Sequence, residues 1–141
     1  MVDIQKVTTD SEFKQVLKLR FEVFVDEQGV PPEIERDEAD DRALHIMACQ
    51  KKQVVGCGRV EFKENEAKIG RLAVKKRYRD QGIGTKICQR LIKEVTKKGY
   101  QKIVLHAQVE SADFYKKLGF MPVGDKFMEA GIEHVKMVGQ F

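Results

Sequence analysis

The sequence predicts an α/β fold (an α+β mixed sheet) in which antiparallel hairpins and one parallel strand pair share a sheet flanked by helices. Two observations carry this. Three strand-like runs, Leu44 to Cys49, Val54 to Phe62 and Ala67 to Val74, are separated only by the short polar turns at Lys51-Lys52-Gln53 and Glu64-Asn65, the pattern of consecutive antiparallel hairpins. The third run is then followed by a glycine turn, a long amphipathic segment and a second apolar run at 102–108. Strand, helix and strand in that order form a βαβ unit, whose two strands must be parallel with a right-handed crossover.

Taken in order, Val2, Ile4 and Val7 suggest a short first strand. A helix then starts at Thr9 or Asp10, because Glu12 stands three residues after Thr9 as in a capping box. Phe13, Val16, Leu17, Arg20, Phe21 and Phe24 follow at helical spacing to about Asp26, where Gly29 and the Pro31-Pro32 pair end the helix. The run Glu33, Glu35, Asp37, Glu38, Asp40, Asp41 reads as a solvated loop or a short helical turn, or functionally as an acidic wall that attracts a cationic amine. Gly56 and Gly58 lie inside the middle strand of the hairpins, which calls for a bulge or a close backbone approach. Ile83, Ile87, Leu91 and Val95 recur at four-residue spacing, and Gly99 suits the left-handed position after a helix end. A short helix from Glu110 to Leu118, Gly119 as its cap, and strands from Phe120 to Met128 and Ile132 to Val138 complete the chain.

Composition narrows the function classes. At 141 residues, with 42% hydrophobic and 34% charged residues, the chain is expected to be one soluble domain spanning 1–141. No apolar run approaches the roughly 18 residues needed to cross a bilayer, and Met1 to Gln5 lacks the layout of a secretory signal, so cytoplasmic residence without membrane association is expected. Cys49, Cys57 and Cys88 are odd in number and show no CxxC spacing, which points to reduced thiols and no metal site. The net charge of +4 is too small for a nucleic-acid protein, and nucleic acid is not an expected partner. Its cations cluster instead, with Lys75, Lys76, Arg77 and Arg79 before the glycine turn and Lys97, Lys98 and Lys102 at the next connection, which suits a small polyanion.

The turn itself, Arg79-Asp80-Gln81-Gly82-Ile83-Gly84, opens the amphipathic helix. A helix start leaves four N–H groups without intrahelical partners at the positive dipole end, and glycines let an anion approach the main chain. The Walker pattern is absent, since no glycine stands five residues before a Gly-Lys-Ser/Thr triplet. The dinucleotide fingerprint also fails, because Ile87 occupies the position of its third glycine.

Arg79-x-x-Gly82-x-Gly84 resembles the acyl-coenzyme A signature of the GCN5-related N-acetyltransferases, Gln/Arg-x-x-Gly-x-Gly/Ala. Phe114-Tyr115-Lys116-Lys117-Leu118-Gly119-Phe120 resembles the family's second signature, in the right order and at a plausible separation. Arg20-Phe21-x-Val23-Phe24-Val25-x-Glu27-Gln28-x-Val30-Pro31, His106-Ala107-Gln108 and Gly131-Ile132-x-His134 are similar to the bacterial subgroup typified by YjcF and ElaA. The asparagine common before the Phe-Tyr helix is missing, with Glu110 and Ser111 in its neighbourhood.

The resemblance implies a twisted, mostly antiparallel sheet splayed at one parallel strand pair, with acetyl-coenzyme A as cosubstrate lying in the split. By that analogy the main chain of Leu72, Ala73 and Val74 bonds the pantetheine arm, Arg79, Asp80, Gln81, Gly82, Ile83, Gly84 and Thr85 receive the pyrophosphate, and Phe114 belongs to the same cofactor site. The implied reaction moves an acetyl group from the thioester to a primary amine of a small molecule or protein through a ternary complex. It requires a neutral amine, an oxyanion donor such as a backbone N–H near Val74, and a proton for the departing thiolate. Tyr115 is the expected proton donor, as a phenol near pKa ~10 is protonated at neutral pH. Glu27, Glu61, His106 and His134 are the candidate bases, with His106 favoured because neutral imidazole suits the task near pH 7. Glu27, Gln28, Glu61, Gln108 and His134 are the expected acceptor-site residues. Two alternatives stand beside this: a covalent route through Cys57, and an acyl-coenzyme A binding or sensing module without turnover.

Overall fold

The computed structural model describes residues 1–141. Seven strands form one sheet: β1 (Asp3–Lys6), β2 (Leu44–Gln50), β3 (Gln53–Phe62), β4 (Ala67–Val74), β5 (Lys102–Gln108), β6 (Met121–Glu129) and β7 (Ile132–Gln140), in the spatial order β1-β2-β3-β4-β5-β7-β6. Every neighbouring pair is antiparallel except β4 and β5. The helices are α1 (Asp10–Arg20), α2 (Pro32–Glu35), α3 (Ile83–Lys97) and α4 (Ala112–Lys117). Thr9 caps α1 through the expected box, its side chain accepting from the Glu12 N–H while the Glu12 side chain accepts from the Thr9 N–H. The helical path continues past α1 as a wider π-helical stretch, Phe21–Glu27, and stops at Gly29 with φ +75°.

The two sheet faces bury different helices. On one, α3 presents Ile83, Ile87, Cys88, Leu91 and Val95 to a core that includes Ile46, Val55, Val60, Ile69, Ile103 and Leu105. Each fully buried side chain of this size contributes about 1.5–3 kcal/mol. The interior glycines of β3 explain the close docking: a Cβ on Gly56 would lie 2.8 Å from Ile87 Cδ1, and one on Gly58 2.8 Å from Leu91 Cδ1. On the other face Val16, Leu19 and Val23 of the first helical segment pack on Met47, Val54, Cys57 and Ala73.

The parallel pair comes apart part-way along. β4 and β5 pair at Ala67 with Ile103, Lys68 with Val104 and Ile69 with Leu105, and no further. Beyond that point β4 remains on β3 to Val74 and β5 remains on β7 to Gln108, so a V-shaped gap opens between two firmly held strands. A bulge marks the parting. Arg59 pairs with Gly70 but Cys57 with Ala73, so over this span β4 carries one more residue than β3, and Arg71 within it takes φ +53°. A non-glycine residue in the left-handed region is uncommon and persists where its surroundings hold it there.

The acidic run folds into two short helical turns, Pro32–Glu35 and Glu38–Asp41, with Glu33, Glu38 and Asp41 exposed and the other three carboxylates turned inward. Glu35 and Asp40 are buried and Asp37 is half-buried. Arg20, itself 1% exposed, donates to Glu35 Oε2 at 3.0 Å and to Asp40 Oδ1 at 2.7 Å. Arg59 donates to Asp37 and Asp40, and Arg71 reaches Asp37 and the Glu35 carbonyl. Three carboxylates and three guanidiniums cancel inside the protein, because a buried charge is tolerated only when paired and hydrogen-bonded.

Candidate active site

A cavity of about 720 Å³ occupies the gap and the sheet face below it. Strand alternation and register build its floor. Arg59, Glu61 and Lys63 alternate along β3 and its continuation, Lys68 faces Glu61 from β4, and His106 and Gln108 follow on β5, with His134 opposite Gln108 on β7. One wall is the loop that follows the first helical segment, with Gln28, Val30, Ile34 and Asp37; the other is the β6–β7 turn, with Glu129 and Ala130. Tyr115 enters from α4, packed edge-on against Phe114 at 5.1 Å and Phe120 at 6.1 Å between ring centroids.

The structure thus brings together Gln28, Glu61, Leu72, His106, Gln108, Tyr115 and His134 of the residues singled out in the sequence. Gln108 donates to Gln28 Oε1 at 2.8 Å, tying the helical segment to β5 across the gap. Glu61 lies 3.9 Å from Arg42. Burial, with a small contribution from Cys88, pushes the Tyr115 hydroxyl above its ordinary pKa, so it stays protonated through the neutral range.

Glu27 is not among the lining residues. Its carboxylate takes a bidentate pair from Arg79, at 2.9 and 2.7 Å, and Arg79 Nε donates to the Val74 carbonyl at 2.9 Å. The arginine and the glutamate that the sequence assigns to different subsites therefore hold each other, and clip the end of the first helical segment to the glycine turn.

The turn has the form an anion needs. Asp80 and Gly82 both take positive φ, +63° and +81°, and α3 starts at Gly82 with no side chain capping its first N–H groups. Gly84 faces Phe114, whose Cζ would lie 3.5 Å from an added Cβ. Ala73, Val74, Arg79 to Thr85 and Phe114 lie outside the cavity lining. From Gly70 to Val74 the β4 edge that faces β5 has no strand partner. A free strand edge leading to an uncapped helix start suits an extended chain with main-chain hydrogen-bonding groups and a phosphate end.

The family profile of the acetyltransferase (GNAT) domain matches residues 6–141. The chain belongs to the GNAT family. An uncharacterized N-acetyltransferase, YjcF of Bacillus subtilis (strain 168), is 36% identical over 130 residues, covering 92% of this chain and 93% of the relative. The crystal structure of Escherichia coli ElaA superposes with a TM-score of 0.89 at 25% identity, covering 99% of this chain and 100% of that one. An aminoglycoside 6'-N-acetyltransferase complexed with coenzyme A shares the fold, with a TM-score of 0.79 at 18% identity, covering 98% of this chain and 96% of that one. The splayed parallel pair expected from the resemblance is present.

Several cavity residues carry no sequence signal. Glu129 bonds His106 Nδ1 at 2.9 Å, and Arg71 crosses from the bulge to the opposite wall. Neither sits in a recognisable motif, and only the tertiary arrangement brings Glu129 of β6 to His106 of β5 across β7. Arg20 did leave a trace, since it falls four residues after Val16 on the apolar face of its helix.

Proposed function

We propose that this GNAT protein, acting as one cytoplasmic domain, transfers an acetyl group from acetyl-coenzyme A to a primary amine in a ternary complex. The observation that carries the reading is the placement of His106 and Tyr115 in one cavity, opposite the unpaired edge of β4. The cosubstrate supplies an activated acetyl thioester. The main chain of Leu72, Ala73 and Val74 would hold its arm, and the amides of Arg79 to Thr85, beside Phe114, its pyrophosphate; backbone N–H groups serve here because α3 begins without a side-chain cap. Arg79, whose guanidinium is paired with Glu27 and bonded to the Val74 carbonyl, braces the turn. His106 takes the amine proton, and Tyr115, a phenol protonated at neutral pH whose pKa burial raises further, supplies one to the departing sulfur. Gln28, Glu61, Gln108 and His134 line the acceptor side. Burial pushes the Cys57 thiol up to about 12, which leaves no thiolate for a covalent route.

The test is thiol release from acetyl-coenzyme A in the presence of polyamines, aminoglycosides, amino sugars and lysine peptides. We expect stimulated release with one acceptor class and a loss of about 10²–10⁴ in turnover for Tyr115→Phe. Full turnover in that variant would remove Tyr115 from the mechanism. Coenzyme A binding without release for any acceptor would favour the sensing module.

A further inference from the structure

Three acceptor groups converge on the β6–β7 side of the cavity. Glu129, the last residue of β6, bonds His106 Nδ1 through Oε1 at 2.9 Å and points Oε2 to within 3.9 Å of His134 Nε2. His134 bonds the Ile132 carbonyl through Nδ1 at 2.7 Å. Phe127 fixes both rings, meeting His106 edge-on at 5.0 Å and stacking on His134 at 6.0 Å.

The chemistry of these partners sets the tautomers. A carboxylate and a carbonyl oxygen can only accept, so both imidazoles carry their proton on Nδ1. In the neutral rings both Nε2 atoms are then lone-pair acceptors, and His134 Nε2 and Glu129 Oε2, which face each other, cannot satisfy one another. A group with several N–H donors and positive charge answers all three. The nearest cation in the β5–β7 register is Lys136, directly across from His106 and outside the cavity lining, while Lys68 lines the cavity from β4.

We propose that Glu129 is a positioning residue that holds His106 in its Nδ1–H tautomer, and that His106 Nε2, His134 Nε2 and Glu129 Oε2 together receive the primary ammonium of the acceptor. The proposal rests on the acetyl-transfer reading above for its substrate. In the transfer step the bound ammonium gives one proton to His106 Nε2, and the neutral amine that results attacks the acetyl carbon through its lone pair. The carbon–sulfur bond breaks, the thiolate takes the Tyr115 proton, and the second proton on nitrogen returns to the tyrosinate, so the net proton stays on His106 until solvent removes it. Glu129 keeps its charge throughout, as an orienting carboxylate does in a Ser-His-Asp triad.

Long-range proton–nitrogen spectra of the three histidine side chains test this without cosubstrate or acceptor, so they report on the cage even if the transfer reaction fails. In the wild type His106 and His134 should both show the Nδ1–H form. In Glu129→Ala, His106 should move toward the Nε2–H form while His134, tied to the Ile132 carbonyl, stays unchanged and certifies the fold. Putrescine should shift the Nε2 signals of both rings in the wild type and of neither in Glu129→Ala. A wild-type His106 in the Nε2–H form, a tautomer indifferent to Glu129→Ala, or putrescine shifts absent in the wild type would each overturn the proposal. With an acceptor in hand, kcat should fall at least about tenfold in Glu129→Ala, and Glu129→Gln should not restore it, because its amide can donate to Nδ1 and favour the other tautomer and has no second oxygen to accept from the ammonium.

Discussion

Replacing Arg20 with methionine removes the cation at the centre of the buried network while keeping an unbranched stem of similar girth. The side chain loses hydrogen bonds to Glu35 Oε2 at 3.0 Å, to Asp40 Oδ1 at 2.7 Å and Oδ2 at 3.1 Å, and to the Glu35 carbonyl at 3.0 Å. Removing one partner of a buried ion pair costs about 3–5 kcal/mol, because the remaining charge stays desolvated. Here each carboxylate keeps a second guanidinium, Arg59 at 2.8 Å for Asp40 and Arg71 at 3.0 Å for Glu35. The lower end, about 3 kcal/mol, is therefore expected. With a urea m-value of about 2 kcal/mol/M for a chain of this size, the unfolding midpoint should fall by about 1.5 M. A shift smaller than about 0.3 M would refute the reasoning that these carboxylates depend on Arg20. The pH dependence gives a second reading. Burial alone would raise the Asp40 carboxyl, but the guanidiniums of Arg20 and Arg59 overcome it and hold the group well below the usual carboxylate range. A carboxyl depressed in the folded state contributes stability above its unfolded pKa of about 3.9, and that contribution is lost as pH falls through the folded value. The gap between wild type and Arg20→Met should accordingly narrow below about pH 4.

The remaining predictions concern the glycines and the thiols. Gly58→Ala places a Cβ 2.8 Å from Leu91 Cδ1 and 3.1 Å from Ile87 Cγ2, so it should destabilise by about 1–3 kcal/mol in the same urea assay; an unchanged midpoint would mean that α3 shifts without penalty. Gly84→Leu should drive its side chain against Phe114 and weaken coenzyme A binding at least about tenfold by calorimetry, whereas Gly84→Ala, whose Cβ meets Phe114 at ordinary contact distance, should bind normally. Equal affinity in the leucine variant would place the phosphates elsewhere. Burial pushes the Cys57 and Cys88 thiols up to about 12, and burial with nearby Glu12 and Asp3 also raises the half-buried Cys49 thiol, so in the native protein only Cys49 should react with iodoacetamide at pH 8, and slowly, whereas all three should react in urea; fast native labelling of Cys57 would contradict its packing.

Local pattern determined most of the framework. The capping box at Thr9, the hairpin turns, the four-residue spacing of α3 and the strand–turn–helix–strand order are short-range features, and each is written in residues that touch or nearly touch along the chain. They were sufficient to predict a mixed sheet with one parallel pair, and the two signatures sufficed to predict the family. Charge at a distance was not legible. The buried part of the acidic run looked solvated because the local cations, Arg36 and Arg42, do not pair with it; the partners of Glu35, Asp37 and Asp40, which are Arg20, Arg59 and Arg71, arrive from a helix and two strands. The Glu27–Arg79 clip spans 52 positions, and the pairing of His106 with Glu129 requires β7 to lie between β5 and β6. Only tertiary structure decides such contacts, since a buried or bridging charge is stabilised by whichever opposite charge the fold delivers, and the sequence on either side of it carries no record of that partner.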